Sequence, residues 1–198
     1  MRESYLDLRG NRLILASKSP RRHELMKGLG IPFEVRTKHV DESFDADLKA
    51  EEIPLYLAEK KARAFLDDLA DNEILVTSDT VVWLGDGVFN KPSGREEAID
   101  MIRELSGRTH EVITAFCIIS KTKKSVKHET TKVHFGELDP EAIKWYVDRY
   151  RPFDKAGAYG IQEWIGYVGI DRIEGSFYNV MGFPTRMFYL ELAKFVQK

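Results

Sequence analysis

The chain has 198 residues, of which 43% are apolar, 31% charged and 11% aromatic; this is the balance of an ordinary globular protein, not of a disordered or fibrous one, and at about 150 residues per domain the length allows one domain or two. Lys and Arg (30) nearly cancel Asp and Glu (32), leaving a formal charge of -2, so there is no overall basic field of the kind nucleic-acid binders carry and any anion site must be local. A single cysteine, Cys117, excludes an internal disulfide and a structural zinc module, and the charged start, Met1 to Asn11, together with the lack of any run of about 18 apolar residues, points away from export and membrane insertion and towards a reducing cytoplasm.

In chain order, Arg12 to Ala16 reads as a short buried strand. Ser19 suits a helix N-cap and Pro20 the first helical position, so a helix is expected from Pro20 to about Lys27, stopped by Gly28 or Gly30. Phe33 to Val40 suggests a second strand. From Pro54, Leu55, Ala58, Ala62, Phe65, Leu66 and Leu69 recur at three- and four-residue steps, the pattern of an amphipathic helix. Ile74 to Leu84 is a β-branched, apolar strand interrupted by Thr77-Ser78-Asp79-Thr80, followed by a Gly85-Asp86-Gly87 hairpin turn and a helix from Arg95 to Leu105 closed by Gly107. Glu111 to Ser120 and Ser125 to Phe135 form an expected antiparallel pair about Lys121-Thr-Lys-Lys, a solvated loop. A helix from Pro140 to Tyr150, a glycine-rich region with strand-like pieces from Gly157 to Gly182, and a last helix from Pro184 with Met187, Leu190 and Phe195 as its buried stripe complete the chain. Helices and strands interleave throughout with no linker or repeat, which predicts one α/β domain, a mixed central sheet with helices on both faces.

Two places suggest chemistry. In Ser17-Lys18-Ser19-Pro20-Arg21-Arg22 the free amides and positive end of the helix would share a space with two hydroxyls and a guanidinium, which makes a phosphate cradle; the plainer reading is a capped helix with solvated arginines. Neither nucleotide-loop nor dinucleotide glycine spacing is present. Asp79, amid apolar neighbours, must pair with a cation, bind a metal or sit at an opening in the sheet, unless local hydroxyls hold it. Glu42, Lys61 and Lys91 read as solvated when taken alone. Gln162 lies among small residues, where its amide could both donate and accept along one edge of a base. The five histidines lack metal-ligand spacing and read as structural or exposed, and Cys117 reads as buried filler.

Taken together, Leu13-Ile-Leu-Ala-Ser-Lys-Ser-Pro-Arg-Arg-His-Glu-Leu25, Val40-Asp-Glu42, Leu57-Ala-Glu-Lys-Lys-Ala62, Ser78-Asp-Thr-Val-Val82, Asn90-Lys-Pro92, Leu105-Ser-Gly-Arg-Thr-His110, Asp154 to Gln162 and Glu174 to Pro184 resemble the Maf family of nucleoside triphosphate pyrophosphatases over nearly the whole chain. The resemblance implies a fold related to the inosine triphosphate pyrophosphatases with the site in a cleft across the sheet. It implies that Asp79 accepts the proton of the attacking water, that Ser17, Arg21, Arg22, Lys61 and Lys91 surround the triphosphate, and that Glu42 and Asp79 place a divalent cation, Mg²⁺ or Mn²⁺. Arg21, Thr80 and Gln162 resemble the branch that hydrolyses dTTP and UTP; the alternatives are the branch acting on 7-methyl-GTP or CTP and a non-catalytic, nucleotide-sensing regulator of cell division. A homodimer is a further implication of the resemblance, while charge and hydropathy point to neither nucleic acid nor membrane as partner. Lys18, Asn90 and Glu163 depart from the family pattern, and Glu163 borders the base-reading region.

Overall fold

The computed structural model describes residues 5–197; Lys198 and the first four residues of the charged start lie outside them. Seven strands, β1 (Arg12–Leu15), β2 (Glu34–Val35), β3 (Glu73–Leu84), β4 (Gly87–Phe89), β5 (Thr109–Ile119), β6 (Lys124–Phe135) and β7 (Ile170–Glu174), form a mixed sheet ordered β2-β1-β3-β5-β6-β7, with β4 pairing β3. The helices are α1 (Pro20–Gly28), α2 (Glu52–Arg63), α3 (Arg95–Leu105), α4 (Pro140–Tyr150), α5 (Trp164–Val168), α6 (Phe177–Val180) and α7 (Thr185–Gln197). Among the described residues no helix is long and apolar enough to cross a membrane. The chain divides into two compact units: the first holds the described residues up to Asp79, Thr114–Glu129 and the chain from Gly182 on, and the second holds Thr80–Ile113 and Thr130–Met181.

In the first unit β1 lies parallel to β2 (Ile14 opposite Glu34) and to β3 (Leu15 opposite Val76). Parallel neighbours need crossover connections, which α1 and α2 supply. Leu13, Ile14 and Leu15 are all buried, as a strand covered on both faces requires. Along β5 the side chains alternate: Ala115, Cys117 and Ile119 pack with Ala58 and Ala62 of α2, whereas Phe116 stacks edge-on against Phe188 of α7. Helices therefore cover both faces here. Cys117 is fully buried and burial pushes its thiol up to about 12, so it is the inert filler that its sequence context suggests.

Three expectations are corrected in this unit. The second strand covers only Glu34–Val35, because Thr37, Lys38 and His39 are exposed polar residues at the sheet edge. α2 ends at Arg63 rather than continuing to Leu69: Lys60, Lys61 and Arg63 suit the negative end of the helix dipole, Asp67 and Asp68 oppose it, and the chain tightens into a 3₁₀ turn that leaves Leu66 exposed. In α7 the buried stripe is Phe188, Leu192 and Phe195, while Leu190 faces out; the phase is set by Phe188, which packs on Phe116 and Phe183.

In the second unit the Gly85-Asp86 turn joins β3 to β4 with Leu84 opposite Gly87, and Gly85 takes the positive φ of 60° that this two-residue hairpin demands. α3 and α4 fall where the sequence places them. Their apolar faces, Ala98, Ile99, Ile102 and Leu105 with Ile143, Tyr146 and Val147, share one core with Val112, Val133, Tyr159 and Ile165. The glycine-rich stretch contains β7, paired antiparallel with β6 through Val133 and Ile173, but also the short helices α5 and α6, which its composition hid. Gly157 has φ 68°, and a Cβ there would come within 3.0 Å of Val82, so glycine is required for this close approach.

Candidate active site

The polar interruption in β3 has a local cause. Alternation along a strand places Thr77 and Asp79 on one face. Thr77 Oγ1 donates to the Ala58 carbonyl of α2 at 2.6 Å, and Lys61 follows one helical turn later on the same helix face. Strand register and helix phase thus bring the Lys61 ammonium to Asp79 Oδ1 at 2.6 Å; it also meets Glu42 Oε1 at 2.9 Å. The Lys61 and Asp79 side chains are 14% and 11% exposed, whereas that of Glu42 is 48% exposed. Lys61, which reads as solvated when taken alone, is therefore the partner of the buried carboxylate and shares its ammonium with Glu42, and Asp79 takes the first of the outcomes open to it, a cation.

α1 brings further positive charge to the same carboxylates. Arg22 donates from Nη1 to the Ser78 carbonyl at 2.8 Å and from Nε to the Gly182 carbonyl at 2.9 Å. Burial holds its pKa below the ordinary guanidinium value; attraction to Asp79 and Glu42 opposes that shift and repulsion from Arg21 adds to it. Asp79, Glu42 and Arg21 thus all act on the Arg22 charge. The first turn of α1 contains no acidic residue. Ser19 occupies the N-cap position, but its side chain makes no capping bond, contrary to expectation; Ser17, buried, accepts the Ser19 N–H on Oγ at 3.2 Å instead. His23 Nε2 lies 2.7 Å from the Ser17 carbonyl oxygen. A carbonyl only accepts, so that nitrogen carries the proton.

The remaining sequence candidates belong to the second unit. Thr80, next to Asp79 in β3, faces the opposite side of the strand and is half-buried. Lys91 is exposed in the stretch between β4 and α3, whose Asn90 carbonyl accepts the Gly157 N–H at 3.3 Å. Gln162 is partly buried, and its Oε1 is shielded from water without a hydrogen-bond partner among the described residues. Beside it lie Tyr146 and Lys155, both buried, and Glu163. The sequence reading passes over Tyr146 and Lys155; the available signal was a lone lysine heading the small, apolar run Ala156 to Tyr159.

Of the five histidines, His110 has the surroundings of a structural group. His110 is buried with Nε2 2.7 Å from the Tyr159 hydroxyl, and burial pushes its pKa down to about 3. Among the described residues no group of three or more His, Cys, Asp or Glu could enclose a metal ion. Glu42 and Asp79 nevertheless reach one and the same ammonium, which stands in for a cation between them. Two carboxylate oxygens suit a hard divalent ion that draws its other ligands from phosphate and water.

The family model described as Maf-like protein matches residues 12–195. The dTTP/UTP pyrophosphatase of Parabacteroides distasonis is 50% identical over 190 residues, covering 96% of this chain and 98% of that protein. Those of Flavobacterium psychrophilum and Bacteroides thetaiotaomicron are 52% and 50% identical, covering 91% and 92% of this chain and 93% and 95% of theirs. Among solved structures, the Staphylococcus aureus Ham1 protein aligns with a TM-score of 0.45 at 14% identity, covering 63% of this chain and 72% of that one.

Proposed function

The chain belongs to the Maf-like family, and on that premise we propose that it hydrolyses dTTP and UTP at the α-phosphorus, releasing the nucleoside monophosphate and pyrophosphate. The observation that carries the reading is the shared ammonium of Lys61 between Asp79 and Glu42, with Arg21 and Arg22 in the same field. A nucleoside triphosphate brings about four negative charges, and a protein of formal charge -2 can meet them only by gathering cations locally.

In this reading Arg21, Arg22 and Ser17 bind phosphate oxygens at the start of α1, and Lys91 adds a further cation for the triphosphate. Arg22, held by two backbone carbonyls, is a pre-positioned charge that needs no reorganisation when substrate arrives. Lys61 turns from Asp79 to the incoming phosphate, which frees the carboxylate to accept a proton from the attacking water. Glu42 and Asp79 hold a divalent cation, Mg²⁺ or Mn²⁺, together with substrate oxygens; when bound it supplies charge neutralisation and polarisation of the phosphoryl group. Thr80 and Gln162 are assigned to the nucleoside, with the Gln162 amide reading the pyrimidine edge. The attack is assigned to water, with no covalent intermediate in this reading.

Incubation with Mg²⁺ and either dTTP or UTP tests the proposal. Release of pyrophosphate and the monophosphate supports it; intact substrate, or orthophosphate as first product, defeats it. Preferential turnover of 7-methyl-GTP or CTP would keep the reaction and overturn the base assignment.

A further inference from the structure

We propose that Glu163, with Tyr146 and Lys155, is a positioning element that holds the turn carrying Gln162, so that base preference is set partly by residues that never touch the nucleotide. The inference rests on the dTTP/UTP reading and deepens it.

Gly160 to Glu163 form a four-residue turn closed by the Glu163 N–H donating to the Gly160 carbonyl at 2.9 Å, with Gln162 third in the turn. One hydroxyl ties both ends: Tyr146 accepts the Gly160 N–H at 3.0 Å and donates to Glu163 Oε2. The other carboxylate oxygen of Glu163 meets the Lys155 ammonium at 3.1 Å, and Lys155 also binds Asp154 at 2.8 Å. Tyr146 is fully buried, and the Lys155 and Glu163 side chains are 10% and 17% exposed. Hydrogen bonds so shielded hold the backbone more firmly than exposed ones. The packing is equally close, since a Cβ on Gly160 would lie 2.8 Å from Glu163 Cδ and 3.0 Å from Lys155 Cε. Burial and the bond to Glu163 both raise the Tyr146 pKa, keeping its hydroxyl protonated as a donor.

Against this closed network stands Gln162 Oε1, shielded and without a partner among the described residues. A buried acceptor in that state costs about 1–3 kcal/mol. The N3–H of uracil or thymine is a donor that relieves it, beside a ring carbonyl able to accept from the amide nitrogen; cytosine presents the opposite pattern at N3. The value of that match depends on where the turn places the amide.

The test is steady-state kinetics of the full chain on UTP and CTP. The double variant Glu163→Ala/Lys155→Met removes both charges, so no ammonium is left buried alone. It should raise the KM for UTP roughly tenfold with kcat within about twofold, and the preference for UTP over CTP in kcat/KM should fall by a similar factor. Glu163→Gln keeps an acceptor for the Tyr146 hydroxyl and should recover most of the loss. Unchanged KM and base preference, or an equal fall of kcat on both substrates, overturns the proposal. Should the double variant fail to fold, as judged by circular dichroism, Tyr146→Phe decides: a rise in KM for UTP of about threefold supports the proposal and no rise overturns it. Wild-type protein that turns over neither dTTP nor UTP would overturn the functional reading itself, and the proposal with it.

Discussion

In the first unit, buried charge is balanced by charge: two carboxylates, Asp79 and Glu42, draw on one ammonium, and Arg22, fixed by backbone carbonyls, adds its field to theirs. In the second, the polar side chains around the Gly160–Glu163 turn close on one another and on the backbone, leaving one amide oxygen of that turn, Gln162 Oε1, without a partner among the described residues. On the proposed reading the first arrangement responds to a polyanion, because an added negative group redistributes every pair in it. On the same reading the second responds to one hydrogen-bond donor of defined position. Reaction and recognition are thus expected to fail separately, the former in kcat and the latter in KM.

The largest effect is expected from Asp79→Asn, which preserves shape and removes the proposed proton acceptor: kcat for dTTP should fall by roughly 10³ while circular dichroism stays native. A similar kcat loss in Gln162→Ala would erase the distinction between the regions. Next, Lys61→Met leaves the Asp79 carboxylate buried without its ammonium. Urea unfolding should show a loss of about 3 kcal/mol, the lower end of the range for a broken buried pair because Glu42 is half exposed. Asp79→Asn in that background should recover much of the loss. Gln162→Ala should raise the KM for dTTP and UTP roughly tenfold, with little change for purine triphosphates, since it deletes one or two hydrogen bonds. Equal losses on every base would remove Gln162 from the recognition role.

The smallest effect comes from a second ionic group in the first unit. Glu73 is buried between Arg36, at 2.8 Å, and Arg12, at 2.6 Å, and also accepts the Ala70 N–H. The Arg36 hydrogen bonds hold its pKa down at about 2, from an ordinary 4.5. A depressed carboxylate contributes its stability above the unfolded value and loses it as pH falls, so this contribution is complete above about pH 4.5 and disappears towards pH 2. Glu73→Gln should flatten that part of the stability profile while leaving turnover unchanged at neutral pH. A change in kcat would mean that the two charge clusters of the first unit are coupled.

The elements of this fold were legible where periodicity and punctuation agree. α3 and α4 are bounded by Gly94 and Asp139 at their starts and carry clear apolar stripes, and the Gly85-Asp86 hairpin announces itself. The phase of α7 is not legible in sequence, because Met187, Leu190 and Phe195 fit a helical spacing as well as the true stripe does, and only the stacking of Phe188 on Phe116 decides between them. Asp79 was legible as a buried charge in need of a partner. That the partner is Lys61, 18 residues earlier, was not, because a lysine on a helix looks the same whether water or a carboxylate receives it. The Tyr146–Glu163–Lys155 network was invisible for a related reason: its members lie on separate segments, and only folding makes them neighbours.

The tether of Arg22 to Gly182 joins positions 160 residues apart. During synthesis the guanidinium therefore emerges 160 residues before its last backbone anchor exists. A nascent chain halted short of Gly182 therefore holds the Arg22 end of α1 less firmly, and on the proposed reading full activity should switch on only once Gly182 is in place.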